Sequence, residues 1–253
     1  MQKYDDLTEF VLRMGDSALI QAQRLCEWTG KAPALEEELA LMNVGLDLVG
    51  QARNWLDYAA ELIGDGTDAD ALAYRRDERN YRNVLMVEQP NGDFAVTMLK
   101  QFLYDVWQFH MLSKLRESKD DRVAAIATKS LKEVTYHLRR SSDWIKRLGD
   151  GTEESHQRMV KAIDDVWRFT YDFLQLTEQE NALIDSQVIG DVRDVAAQWQ
   201  TKVNAVFVAS TLTVPKPAEP FYLNSREGVH SECLGALLAE MQYLQRAHPN
   251  ASW

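Results

Sequence analysis

Cysteine is almost absent from this sequence of 253 residues, which contains only Cys26 and Cys233. The two lie far apart and have none of the short spacings that zinc sites use. Neither a disulfide framework nor a cysteine zinc site is therefore expected. Because apolar residues surround both, we predict two buried, reduced thiols.

Proline is absent between Pro90 and Pro215, an interval rich in Ala, Leu, Glu, Lys, Arg and Gln. Proline breaks helices and these other residues favour them, so the interval is predicted to be helical. No stretch shows the alternation of apolar and polar residues that marks a strand, and no internal repeat is found. The sequence thus predicts an all-α protein.

A surplus of positive charge is also lacking, since the net charge is -11 and the isoelectric point is about 5.0. This balance argues against nucleic acid and anionic membranes as partners. The basic segment Arg75–Arg82 is interrupted by Asp77 and Glu78 and is predicted to form a solvated, salt-bridged surface. The most apolar run, Leu39–Gly50, is too short to span a bilayer, and the acidic amino terminus does not resemble a signal peptide. We expect a soluble, cytoplasmic protein.

The apolar residues follow a three-four rhythm that predicts four consecutive long helices and several shorter ones. Asp93 is placed to cap the third, and glycines mark several ends. The predicted ranges are 6–29, 35–63, 93–117, 120–149, 152–176, 191–212 and 231–247, with short helices at 68–74 and after a Thr177–Glu180 capping box. This is typical of a four-helix bundle at about 6–149, elaborated by additional C-terminal helices at about 152–247 within one domain of 1–253.

A line of polar residues runs along the second helix, which is apolar almost all round and is therefore predicted to be buried. The line consists of Asn43, Asp47, Gly50 with Gln51, and Asn54. The other long helices carry polar residues at mid-length: Asp16 and Gln23, Asp105, and Glu133 with Tyr136 and His137. A bundle builds a di-metal site in this way, with one Glu from each of two helices and Glu-x-x-His from each of the other two.

The ligand set for two metals is incomplete in this sequence. Gly50 stands where histidine would follow Asp47, and Tyr136 stands where histidine would follow Glu133. His137 lies about 100° further round the helix and is predicted to point elsewhere. We therefore predict no metal-binding, cofactor-binding or catalytic residue in this chain.

The positions Asp47, Gly50, Asp105, Glu133 and Tyr136 are interpreted as interior positions that resemble a ligand set without forming one. Their carboxylates are expected to hydrogen-bond to Tyr136, Asn43, Gln51 or a neighbouring arginine, because a buried polar network is tolerated only when every member is satisfied.

Two literal Glu-x-x-His sequences occur, from Glu153 to His156 and from Glu227 to His230. The first lies in the opening turn of a predicted helix and the second in a loop that follows three prolines. Neither is at the middle of a helix, so neither is expected to bind metal.

Several segments resemble the C subunits of bacterial ring-1,2 phenylacetyl-CoA epoxidases, a family of multicomponent oxygenases of phenylacetate breakdown. The segments are Leu25–Trp28, Ala32–Pro33, Asn43–Asn54, Arg76–Arg79, Val87–Phe94, Lys132–Glu133, Tyr136–Arg139, Leu148–Thr152, Trp167–Phe169 and Leu238–Arg246. They are distributed over nearly the whole chain, and they are far more specific than the Glu-x-x-His pattern.

This resemblance implies a ferritin-like fold and a non-catalytic, structural subunit without a cofactor of its own. It implies that the di-iron centre and the binding of phenylacetyl-CoA belong to a related A subunit. That partner would pair with this chain, which can also self-associate as a homodimer. A small B subunit and a reductase would complete the complex, which inserts one oxygen atom of O₂ into the aromatic ring.

Two other interpretations remain at this stage. One is an independent ferritin-like enzyme with a degenerate di-metal site made of Asp47, Asp105, Glu133 and His137. The other is a storage or ligand-binding bundle. If the chain has a partner, Trp55, Tyr58 and Tyr243 are candidate interface residues; Arg75, Arg76, Arg139 and Lys146 are candidate phosphate contacts.

Overall fold

The computed structural model describes residues 2–249 and residue 251. Apart from one isolated bridge between Asn224 and Val229, these residues contain no β-structure, which confirms the all-α prediction. The helices are α1 (Asp6–Cys26), α2 (Leu35–Ile63), α3 (Ala69–Tyr74), α4 (Leu85–Glu88), α5 (Phe94–Leu115), α6 (Asp121–Gly149), α7 (Glu153–Val166), α8 (Thr170–Leu174), α9 (Glu178–Asp185), α10 (Val195–Val208), α11 (Glu232–Met241) and α12 (Tyr243–Ala247). None of the described helices is long and apolar enough to cross a membrane.

Local capping signals explain why most helices begin where the sequence predicts. The side chains of Asp93 and Asp120 accept hydrogen bonds from backbone N–H groups in the first turns of α5 and α6. Thr177 and Glu180 form the predicted capping box at the start of α9. Each bond satisfies a donor that would otherwise have no partner at the end of a helix.

The boundaries of several helices differ from the prediction. The first helix ends at Cys26 rather than near residue 29, and the range 152–176 is divided into α7, a 3₁₀ turn at Trp167–Phe169 and α8. The last predicted helix breaks at Gln242, whose side-chain amide donates to the carbonyl oxygens of Ala73 and Arg76. The short helix α4 was not predicted.

The chain divides into two compact units. The first contains the residues up to Pro90 together with those from Tyr222 onward, and the second contains Asn91–Phe221. The organisation as one domain stays a prediction, and the two units are described separately.

The first unit is centred on the close packing of α1 against α2. Gly15 allows this approach, since a Cβ atom at its position would lie 3.0 Å from the side chain of Leu56. Gly45 does the same on α2, where a Cβ atom would lie 3.0 Å from the sulfur of Cys26. The two thiols, predicted to be buried, are only half-buried, and burial raises the pKa of Cys26.

The second unit has α5 at its centre, packed against α6, α7 and α10. An aromatic cluster forms its core, with the rings of Trp107, Phe173, Trp199, Trp167 and Phe207 about 6 Å apart in successive pairs. The indole N–H of Trp199 donates to the carbonyl of Leu103 at 2.9 Å. A buried tryptophan needs such an acceptor, and this one fixes α10 against α5.

Candidate functional site

The polar line on α2 does not lie in the interior of the first unit. Asn43 and Gly50 are exposed, Asp47 and Asn54 are half-buried, and only Gln51 is buried. The prediction that α2 is largely buried was therefore wrong. Its buried face is the one that contacts α1, and the polar line follows the edge of the opposite face.

Asp105 is the only one of the five ligand-like positions that is fully buried. It lies on α5 in the second unit, where its Oδ2 accepts a hydrogen bond of 2.8 Å from Ser141 on α6. Burial raises the pKa of Asp105 from 3.8 to about 8, although the bond from Ser141 and the charge of Arg140 oppose this. At neutral pH the side chain is therefore mainly a neutral acid.

The side chains of α6 at the other candidate positions are turned differently from the prediction. Tyr136 is 55% exposed, so its interpretation as an interior position was wrong. His137 is fully buried and points into the second unit rather than away from it. Glu133 is half-buried. The cause is the register of α6, whose inner face carries Val134, His137 and Ser141 at intervals of three and four.

The described residues contain no group of three or more His, Cys, Asp or Glu side chains placed to hold a metal ion. Asp105 is predicted to hydrogen-bond to Tyr136, Asn43, Gln51 or a neighbouring arginine. Arg140 is near it, as predicted, but the hydrogen bond comes from Ser141. The absence of a metal site stays a prediction.

The two literal Glu-x-x-His sequences have structural contacts. The ring of His156 lies 2.8 Å from the carbonyl oxygen of Gly149, beyond the start of α7. His230 contacts the carboxylate of Glu88 at 2.7 Å, and its other ring nitrogen lies 3.0 Å from the carbonyl of Tyr81. Both histidines thus hold backbone segments together within their own unit.

Glu88 is the centre of a buried polar cluster that sequence reasoning missed. Its carboxyl group accepts hydrogen bonds from the side chain of Asn83 and from the backbone N–H of Ser231, and its Oε2 lies 2.7 Å from Nδ1 of His230. The carbonyl of Tyr81 can only accept, so the ring nitrogen of His230 that faces it carries a proton. The cluster fastens the C-terminal segment to the N-terminal part of the first unit.

A second buried cluster joins α1 to the segment after α3. Asp16 is fully buried, and its two carboxylate oxygens accept hydrogen bonds from the guanidinium of Arg76 and from the backbone N–H of Arg82. The Arg76 guanidinium also lies over the ring of Tyr81, 4.4 Å from its centre. Arg76 is therefore not available for phosphate, and the predicted solvated basic surface is in part a buried ion-pair network.

Arg139 and Lys146 line a surface cleft of about 710 Å³ between α5, α6 and α10 of the second unit. Asp143 and Asp194 line the same cleft, and Lys146 is 3.6 Å from Asp143. The mixed charge gives no reason to assign these cations to a phosphate. Of the candidate interface aromatics, Trp55 and Tyr58 are buried, whereas Tyr243 is 68% exposed.

Comparison with known proteins decides the family. The sequence profile of the family described as "Phenylacetic acid catabolic protein" matches residues 1–253. The chain belongs to this family. It is also 48% identical over 249 residues to the protein named as the C subunit of 1,2-phenylacetyl-CoA epoxidase in Escherichia coli (strain K12); the match covers 98% of this chain and 100% of that protein.

Membership of the phenylacetic acid catabolic family confirms the ferritin-like fold class and the resemblance on which it was expected. Several segments that carry the resemblance lie at the buried contacts of the first unit. Val87–Phe94 contains Glu88, Arg76–Arg79 begins with the partner of Asp16, and Leu238–Arg246 contains Gln242. The segments that resemble the family therefore include residues whose buried hydrogen bonds stabilise the first unit.

Proposed function

We propose that this chain is a non-catalytic, structural subunit of a phenylacetyl-CoA ring-1,2-epoxidase in aerobic, cytoplasmic phenylacetate breakdown. It pairs with a ferritin-like A subunit that holds the di-iron centre, and a small B subunit and a reductase complete the complex. The observation that carries the proposal is the near full-length match to a protein named as the C subunit of such an epoxidase.

The geometry of the ligand-like positions supports a structural rather than a catalytic role. Gly50 has no side chain that could bind a metal, and the side chain of Tyr136 is exposed. Asp105 is fully buried, and its partner in the structure is the hydroxyl group of Ser141. These features support assigning the oxygen chemistry to a partner subunit.

We expect this chain to contain far less than one iron per chain when it is purified alone after expression with added iron. The reason is that the side chains needed for a two-iron site are not assembled. Elemental analysis of the purified chain measures this directly, and the A subunit prepared in parallel serves as the positive control. Two irons per chain would contradict the proposal and favour an independent di-metal enzyme.

Replacing Glu133 with glutamine should leave the turnover of the reconstituted complex within a few-fold of the wild type. Glutamine keeps the size of the half-buried side chain and removes only its charge, which matters greatly for a metal ligand and little for a structural residue. Steady-state epoxidation of phenylacetyl-CoA, with every other component in saturating amount, is the measurement. A loss of about a hundredfold or more, with the complex still assembled by gel filtration, would refute the structural role.

A further inference from the structure

The helix α2 has a second apolar face that no described part of the chain covers. Leu35, Leu39, Met42, Leu46 and Val49 follow one another at intervals of four and three and form what we name the α2 seam. Leu35, Leu39, Leu46 and Val49 are 67%, 52%, 64% and 44% exposed. The seam extends about 21 Å along the helix, whereas exposed apolar residues on a soluble monomer usually occur singly.

Alternating intervals of four and three are the spacing with which one helix packs against another in a left-handed crossing. The inner face of α2, which includes Val44, Leu48 and Trp55, is fully buried. The seam lies on the opposite side and therefore cannot contribute to the same core. Its length and its spacing both fit the apolar face of one further helix.

Gly50 lies beside the seam, and no described neighbour requires a glycine there. A Cβ atom at this position would meet nothing within 4 Å, and the helix there is regular. Glycine in the middle of a helix costs about 1 kcal/mol relative to alanine, so a packing reason would be expected, and the described residues supply none. A helix that crosses α2 at Gly50 supplies one, because glycine allows two backbones to approach closely.

The charge along α2 indicates what kind of helix would fit. The helix carries six acidic residues and a single arginine. Glu36, Asp57 and Glu61 continue the line of Asn43, Asp47, Gly50 and Asn54, so four of the six acidic residues of α2 follow one side of the line that the seam defines. A complementary helix therefore carries an apolar seam flanked by lysine and arginine.

The same charges argue against a second copy of this chain as the occupant. In an antiparallel pair of α2 helices, the acidic side of one seam faces the acidic side of the other. In a parallel pair, Glu36 of each copy comes close to Glu38 of the other at one end. Like charges placed in this way disfavour association.

We propose that the α2 seam is the surface on which this chain binds a partner subunit, through a partner helix with an apolar seam and basic flanks. The inference rests on the proposed function, because it takes that partner to be the A subunit of the epoxidase. It goes beyond that function in assigning the contact to Leu39, Leu46, Gly50 and their neighbours on one helix.

Replacing Leu46 with lysine tests the seam directly. We expect the dissociation constant for the purified A subunit to rise at least tenfold, since a charge would be placed in the apolar contact and against a basic flank. Leu46 is mainly exposed, so the thermal stability of the free chain should hardly change. Val208→Lys, at a 73% exposed valine of the second unit, is the matched control and should leave binding unchanged.

Replacing Gly50 with alanine separates the contact from the stability of the fold. The free chain should melt at a higher temperature because alanine favours the helix and meets no neighbour. Binding to the A subunit should nevertheless weaken several-fold, because the added methyl group prevents close approach. Alanine that improves both stability and binding would contradict a crossing at this residue.

The possible outcomes distinguish the two proposals. If the wild-type chain does not bind the A subunit, the proposed function fails and the inference fails with it. If the wild type binds and Leu46→Lys binds equally well, only the inference is overturned. If the wild-type chain is a homodimer that Leu46→Lys converts to a monomer, the seam is an interface between two copies of this chain. The proposal that it binds the A subunit is then wrong.

Discussion

Replacing Asp105 with asparagine is expected to stabilise this chain at pH 7 by roughly 2–4 kcal/mol. Burial holds the pKa of Asp105 at about 8 in the folded protein, against 3.8 without that environment. At neutral pH the unfolded chain gains by ionising this group while the folded chain keeps it mainly neutral. Asparagine is neutral in both states, and its carbonyl can still accept the hydrogen bond from Ser141.

The same variant should change how stability depends on pH. Because the folded-state pKa of Asp105 is raised, its contribution is fully present below about pH 4 and is lost as pH rises through about 8. Between these values the contribution falls by about 1.4 kcal/mol per pH unit, and Asp105→Asn should remove this slope. Urea unfolding followed between pH 5 and pH 8 measures both effects.

Asp143→Asn is the matched control for Asp105, since Asp143 lies on the exposed side of α6. It should leave both the stability and its slope with pH nearly unchanged. If the stability of the wild-type chain shows no such slope between pH 5 and pH 8, then Asp105 is ionised in the folded protein. It would then be compensated by a positive charge or a bound metal, and the structural interpretation of this position would have to be abandoned.

Most helices could be predicted because the residues that determine where they begin lie close to that point in the sequence. Asp93, Asp120 and Thr177 each bond to a backbone group three residues further along, so the signal and the structure lie within one turn. The break at Gln242 could not be predicted in this way. It accompanies hydrogen bonds to Ala73 and Arg76, more than 160 residues away in sequence.

The orientation of α6 was within reach of the sequence. Val123, Ala127, Ser130, Val134, His137 and Ser141 follow one another at intervals of four and three, which places His137 on the inner face. The di-metal pattern directed attention to Glu133 and Tyr136 instead. The general ligand pattern of di-metal bundles thus indicated the wrong face, whereas the spacing of apolar residues along the helix itself indicates the right one.

The periodicity of the apolar residues could not predict that one apolar face of α2 is exposed. The inner face contacts α1, and the seam that begins at Leu35 is largely exposed, yet both are apolar. Hydrophobicity does not distinguish a face buried in the chain from one that a partner would bury, because the same physical effect drives both. The glycine at position 50 is the better signal, since no described neighbour requires a glycine there.

The long-range ion pair of the first unit leads to the second large prediction. Replacing Arg76 with methionine should destabilise the chain by about 3–5 kcal/mol, since it leaves the fully buried carboxylate of Asp16 without its charged partner. The backbone N–H of Arg82 would still donate to that carboxylate, but it carries no charge. The contact of the guanidinium with the ring of Tyr81 would also be lost.

Lys161→Met on α7 is the control, since it removes an exposed ion pair with Asp165, where a change below about 0.5 kcal/mol is expected. The double variant Asp16→Asn with Arg76→Met tests the cause. If the loss comes from the buried charge, neutralising Asp16 should recover more than half of it, because a buried polar group without charge costs far less than a buried ion. If the double variant is less stable than Arg76→Met alone, the loss of stability comes from the missing contacts of the guanidinium group and not from the buried charge of Asp16.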